Sequence, residues 1–190
     1  MVDRSDDELL RECRAGDRRA FEQLVEKYQK TVFNIALRMV RDSEDAEDIA
    51  QAAFIRVYRK LDTFNHELKF FSWLYRIVVN ESLNFLRQRR RHETLDERST
   101  AEADQAAVEG MPGDEEPGEE TEQKIQSGLM ELSVEYRAVV VLRHFQEMSY
   151  AEIGQVLGIP EKKVKSRLFT ARTMLRQILV KKGMMRHGEQ

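Results

Sequence analysis

Arg76, Asn80, Asn84, Arg87 and Arg91 recur at intervals of four, four, three and four residues, which places them in one row along a helix. Arginine and asparagine are the side chains that hydrogen-bond phosphates and base edges, so the row suits contact with nucleic acid. Phe70, Phe71, Trp73 and Tyr75 stand at its head, where aromatic rings could stack on unpaired bases. Trp73, Leu74, Ile77 and Val78 are equally well read as the inner face of that helix, and Trp73 is better assigned to a core than to a ligand. A second set, Lys162, Lys163, Lys165, Ser166, Phe169 and Thr170, forms a cationic outer face on another helix.

The elements that must carry the second set read as a helix-turn-helix from Ser149 to Arg176. Ser149 and Glu152 have capping-box spacing and open the first helix, whose inner face is Ile153, Val156 and Leu157. Gly158 can end that helix in the left-handed conformation, and Pro160 suits the start of the next. Val164, Leu168, Ala171 and Leu175 then point inward, which turns the lysine face outward at the end where recognition helices meet base edges. A plain helical hairpin with a solvated lysine face is the bland alternative.

The first half must position the Arg/Asn row. Ser5 and Glu8 repeat the capping-box spacing and predict a short helix ending near Gly16, with Asp17 capping the next. Phe21, Leu24, Val25, Tyr28, Val32, Ile35 and Met39 form the apolar stripe of a long second helix. Asp42 and Ser43 break and restart the chain, and Ala46, Ile49, Ala50, Ala53, Phe54, Val57 and Leu61 carry a third. After a loop over residues 62–69, the fourth helix is predicted from about Phe70 to Arg91. Every long apolar pattern has helical period, so the expected fold is all-α: two small helical domains, 1–92 and 123–190, joined by 93–122.

Charge separates these parts. The net charge is -3, yet residues 93–122 hold twelve acids against the single base Arg98, so the remainder is strongly basic. Nine bases and no acid fall between Lys162 and Arg186. Clustered cations of this kind are the footprint of phosphate binding. The acidic segment, with Pro112, Pro117 and few large apolar residues, is predicted to be a flexible linker that could shield the basic surfaces from free DNA.

Cys13 is the only cysteine and is expected as a half-buried helical thiol; neither a disulfide nor a cysteine-based zinc site follows from it. No apolar run approaches the ~20 residues needed to span a bilayer, and MVDRSDDELL has no signal-peptide core, so a cytoplasmic protein is expected.

Three stretches in fixed order resemble the extracytoplasmic-function sigma factors, compact members of the sigma-70 family of bacterial RNA polymerase. They are DAEDIAQAAF at 45–54, SWLYRIVVNESLNFL at 72–86, and LSVEYRAVVVLRHFQEMSYAEIGQVLGIPEKKVKSRLFTAR at 132–172. The resemblance implies that the first domain binds the β′ clamp of core RNA polymerase through Asp45, Asp48 and Gln51. It implies that Arg76, Asn80, Asn84 and Arg87, with Asn65, His66 and Lys69 from the preceding loop, face the −10 promoter element. The second domain would meet the β flap and read the −35 element through Lys162, Lys163, Lys165, Ser166, Phe169 and Thr170. An anti-sigma factor, often membrane-anchored, would hold the protein inactive in a stress response.

This chain departs from the family pattern at four places. Ala52 stands where glutamate is usual after Gln51, and the loop 65–69 reads NHELK where glycine and serine are common. Lys162 replaces a frequent glycine and Thr170 a frequent arginine, so no promoter sequence carries over.

Two other classes can be weighed against this one. A dimeric operator-binding regulator would hold its heads in fixed register, which a featureless acidic linker does not do. An enzyme is disfavoured because His66, His92, His144 and His187 show no metal-ligand spacing and no phosphate-binding glycine loop occurs; neither metal nor cofactor is expected. His144, near a helix C-terminus, is expected to make a capping or dipole contact.

Overall fold

The computed structural model describes residues 4–65, 68–96 and 119–183, and those residues form an all-α protein. Helices α1 (Asp6–Arg14), α2 (Arg18–Val40), α3 (Ser43–Lys60) and α4 (Phe70–Asp96) make the first domain. Helices α5 (Glu119–Glu131), α6 (Val134–Val140), α7 (Tyr150–Leu157) and α8 (Glu161–Lys181) make the second, with one π-helical turn at Val141–Phe145 extending α6.

Local chemistry sets the helix starts. Ser5 Oγ accepts from the Glu8 amide at 3.3 Å while Glu8 answers at the Ser5 amide at 3.0 Å, so the expected capping box forms. Asp17 accepts from the Arg19 amide at 2.8 Å to open α2. Arg41 then ends α2 in the left-handed region at φ 69°, and Asp42 accepts from the Asp45 amide at 2.9 Å to start α3.

The α2 stripe lies against α3 and α4: Leu24, Val32, Ile35 and Met39 are buried, as are Ala46, Ile49, Ala53 and Val57 on α3. Leu61, expected on α3, falls in a 3-10 turn (Leu61–Thr63) that Arg14 ties down by donating to the carbonyls of Leu61 and Phe64 at 3.0 and 2.8 Å. Cys13 is half-buried, and burial pushes its thiol pKa up to about 11, so it is protonated at neutral pH. Helix α4 runs to Asp96, beyond the predicted end at Arg91. His92 to Asp96 contain no helix breaker, so the helix continues past the last basic residue of the row.

The second domain closes around Val139, Leu142, Ile153, Val164, Leu168 and Ala171, all buried. The two domains also pack on one another, α7 against α4 and α5 against α2. Neither apolar pattern alone predicted that contact. Its key residue is Arg137, which is 6% exposed. Its guanidinium donates to the carbonyls of Leu129 (2.9 Å), Met130 (2.9 Å) and Leu132 (3.2 Å) at the end of α5, and across the domain boundary to the carbonyl of Met39. The cation therefore sits at the negative ends of two helices, which compensates for the carboxylate it lacks. Burial, helped by Arg90, lowers its pKa to about 10, so it remains charged at neutral pH.

Candidate nucleic-acid interface

Helix α4 sorts its residues as the spacing predicts. Leu74, Ile77 and Val78 are buried, while Arg76, Asn80, Asn84, Arg87 and Arg91 are all exposed. Trp73 is half-buried, with its ring centroid 5.0 Å from Phe64 and 6.0 Å from Phe70, so it belongs to the aromatic packing that anchors the helix start. Phe70 and Tyr75 are both buried. The aromatic cluster is structural, and the polar row carries whatever recognition this helix performs.

The loop before α4 is partly described. Asn65 and Lys69 are exposed, and His66 lies outside the described residues. The Lys69 ammonium is 5.3 Å from the centroid of Phe71 and 2.7 Å from Glu152 Oε1 on α7.

The helix-turn-helix forms as read. Ser149 Oγ accepts from the Glu152 amide at 3.3 Å, Glu152 Oε2 accepts from the Ser149 amide at 2.9 Å, and Gly158 turns at φ 65°. Pro160 is the N-cap of α8 and not its first helical residue. Lys162, Lys163, Lys165, Ser166 and Phe169 are exposed and Thr170 is half-buried. Phe169 is 76% exposed, a solvated aromatic that nothing in the fold requires. Lys165 pairs with Glu161 at 2.8 Å and lies 5.6 Å from the Tyr150 ring, and Glu161 raises its pKa, so it is fully cationic.

Gly154 lies inside α7, where a Cβ would come within 2.8 Å of the Ile159 carbonyl, so only glycine lets the turn cross that closely. A glycine inside an otherwise good helix was the available signal. His144 accepts from Arg172 Nε at 3.1 Å; burial, then Arg172 and Arg143, lower its pKa and keep it neutral. The contact formed is with a side chain, where a capping or dipole contact is expected.

Also in the first domain, Asp48 and Gln51 are exposed on α3, Asp48 lining a shallow pocket with Asn84 of α4. Asp45 is half-buried and 3.4 Å from Arg89; burial, then Asp42, raises its pKa. Gln51 borders a shallow apolar groove with Phe21, Val25, Phe54, Ile55 and Tyr58. Ile55 and Tyr58 are 46% and 55% exposed, off the core stripe of α3, which is the signal that marks them. Among the described residues no cluster could hold a metal ion, and no helix is long and apolar enough to cross a membrane.

Residues 24–92 match Sigma-70 region 2 and residues 122–175 match Sigma-70, region 4. The chain is 35% identical over 182 residues to the ECF RNA polymerase sigma factor SigW of Bacillus subtilis, covering 90% of this chain and 94% of that one. It is 38% identical to the ECF RNA polymerase sigma factor SigM of Mycobacterium tuberculosis over 179 residues, 93% of this chain and 86% of that one. Among solved structures, CnrH in complex with the cytosolic domain of CnrY superposes with a TM-score of 0.68 at 27% identity, covering 92% of this chain and 96% of CnrH.

Proposed function

The chain belongs to the extracytoplasmic-function sigma factors of the sigma-70 family, and from that premise we propose that it binds core RNA polymerase and directs initiation at promoters it reads through two separate helices. The observation that carries this reading is the pairing, in one chain, of an exposed Arg/Asn row on α4 with an exposed lysine face on α8.

In this reading Arg76, Asn80, Asn84 and Arg87, with Asn65, His66 and Lys69, engage the −10 element and help hold the opened strand. Lys162, Lys163, Lys165, Ser166, Phe169 and Thr170 engage the −35 element. Asp48 and Gln51, with Asp45 beside them, dock the β′ clamp, and Ile55 and Tyr58 add apolar area next to Gln51 where Ala52 supplies no carboxylate. The second domain meets the β flap. The proposed domains are 1–92 and 123–190, with 93–122 as the acidic connector; its two ends belong to α4, which reaches Asp96, and α5, which starts at Glu119, and its residues 97–118 lie outside the described residues. Catalysis belongs to the polymerase, so the chain is not itself an enzyme.

An anti-sigma factor is proposed as the inhibitory partner in a stress response, supported by the similarity to CnrH, which was solved with CnrY. The protein then acts in the cytoplasm, at the membrane only when its inhibitor is anchored there. Run-off transcription with purified core polymerase on a promoter library tests the proposal. Polymerase-dependent transcripts with defined starts are expected, and no transcript from any promoter overturns it.

A further inference from the structure

Helix α1 lies before residue 24, where the match to Sigma-70 region 2 begins, so neither matched region covers it. It is nonetheless tied at both ends. Asp6 accepts from the Tyr28 hydroxyl at 2.5 Å and pairs with Lys27 at 2.9 Å, both on α2, and Leu9 and Leu10 are buried. At its other end Arg14, the last residue of α1, reaches across to the turn between α3 and α4. Its Nε and Nη2 donate to the Leu61 carbonyl at 3.3 and 3.0 Å, and Nη2 also donates to the Phe64 carbonyl at 2.8 Å. Leu61 is the C-cap of α3, and helix-end carbonyls lack an intrahelical donor, so the guanidinium supplies what the helix cannot. Phe64 has already left the 3-10 turn, in extended backbone at φ −68° and ψ 126°.

The bond to Phe64 bears on recognition. A peptide unit is planar, so the carbonyl of Phe64 and the N–H of Asn65 turn together, and a donor that fixes one fixes the other. The Phe64 ring is held separately, with its centroid 5.0 Å from that of Trp73 and 5.9 Å from that of Phe70 at the head of α4. Ring and carbonyl together set the direction in which the chain enters Asn65, which is exposed. We infer that Arg14 is a positioning residue for Asn65: by fixing the peptide between Phe64 and Asn65 from α1, it sets where Asn65 meets the −10 element, resting on the assignment of Asn65 to promoter DNA made above. A planar fork suits this role, because charge-assisted bonds from one guanidinium to two carbonyls specify direction as well as distance. Arg14 is itself exposed, so water can replace its bonds, and their loss frees the peptide while leaving the core intact.

The test is a double-mutant cycle on the full-length protein assembled with core polymerase. Run-off transcription is measured for wild type, Arg14→Ala, Asn65→Ala and the double variant on promoters carrying single-base changes in the −10 element. Arg14→Ala is expected to reduce discrimination about three- to tenfold, at the same base position as Asn65→Ala, the scale of a modest direct base contact. The double variant should be no worse than Asn65→Ala alone, because Arg14 acts through Asn65. Arg14→Lys keeps the charge and the stem but loses the fork, and should show part of the same selective loss. It takes the place of Arg14→Ala in the cycle if circular dichroism shows that the alanine variant does not fold. Unchanged discrimination in Arg14→Ala, losses that add in the double variant, or a loss equal on every promoter each overturn the proposal. An equal loss with the salt slope of promoter binding reduced by about one would make Arg14 a phosphate ligand instead. Asn65→Ala indistinguishable from wild type also overturns it, while polymerase-dependent transcripts from the wild type keep the wider functional reading standing. No transcript from the wild type on any promoter overturns both.

Discussion

Arg137 of the second domain donates a hydrogen bond to the carbonyl of Met39, the penultimate residue of α2 in the first. The same guanidinium serves Leu129, Met130 and Leu132, so one buried cation satisfies carbonyls from two domains. Planar Arg supplies five donors in a fixed fork, which no other side chain matches.

Arg137→Ala should therefore destabilise the protein by about 2–4 kcal/mol, through carbonyls left buried without a donor. Urea unfolding measures this. Arg137→Lys should recover only part of the loss, since an ammonium keeps the charge and loses the fork.

Acid should weaken the helix-turn-helix through Glu152. Lys69, then the Ser149 amide and hydroxyl, hold its carboxyl down from 4.5 to about 2. A carboxyl pKa depressed by folding contributes stability above the unfolded value, and that contribution is lost as pH falls from about 4.5 towards 2. The unfolding midpoint of Glu152→Gln should accordingly be lower than wild type at neutral pH and converge with it in acid. Parallel pH profiles for the two proteins would refute this.

Gly154 and Phe169 should separate folding from reading. Gly154→Ala forces a Cβ against the Ile159 carbonyl and should cost about 1–3 kcal/mol by overpacking. Phe169→Ala should change stability by no more than about 0.5 kcal/mol, because the ring is solvated, yet reduce −35-dependent binding by the polymerase complex. Thermal melts alongside promoter binding measure both.

Asn80→Ala and Lys165→Ala should each cost about 1–3 kcal/mol at one cognate base step if their contacts are direct and well aligned. Binding of the polymerase complex to single-base promoter variants gives that profile. A uniform loss across all variants would make the contact one to phosphate.

The legible parts of this protein are those whose causes are local. Ser5 with Glu8, Ser149 with Glu152, Asp17, Asp42 and Gly158 each act within about one helical turn, so their effects can be read from spacing alone. The exposed row on α4 and the lysine face of α8 follow from helical period in the same way. Arg137 was not legible, because the carboxylate two residues before it, Glu135, pairs with Arg167 instead and the Met39 carbonyl is 98 residues away. Glu152 read as a cap and nothing more, since its second partner, Lys69, is 83 residues earlier.

The helices, their caps, their buried faces and the family all follow from short-range spacing and side-chain type. The packing of the two domains on one another emerges at the level of the folded chain. That closure depends on carbonyls, rings and charges brought together from distant parts of the chain, and no periodicity within either domain encodes their meeting.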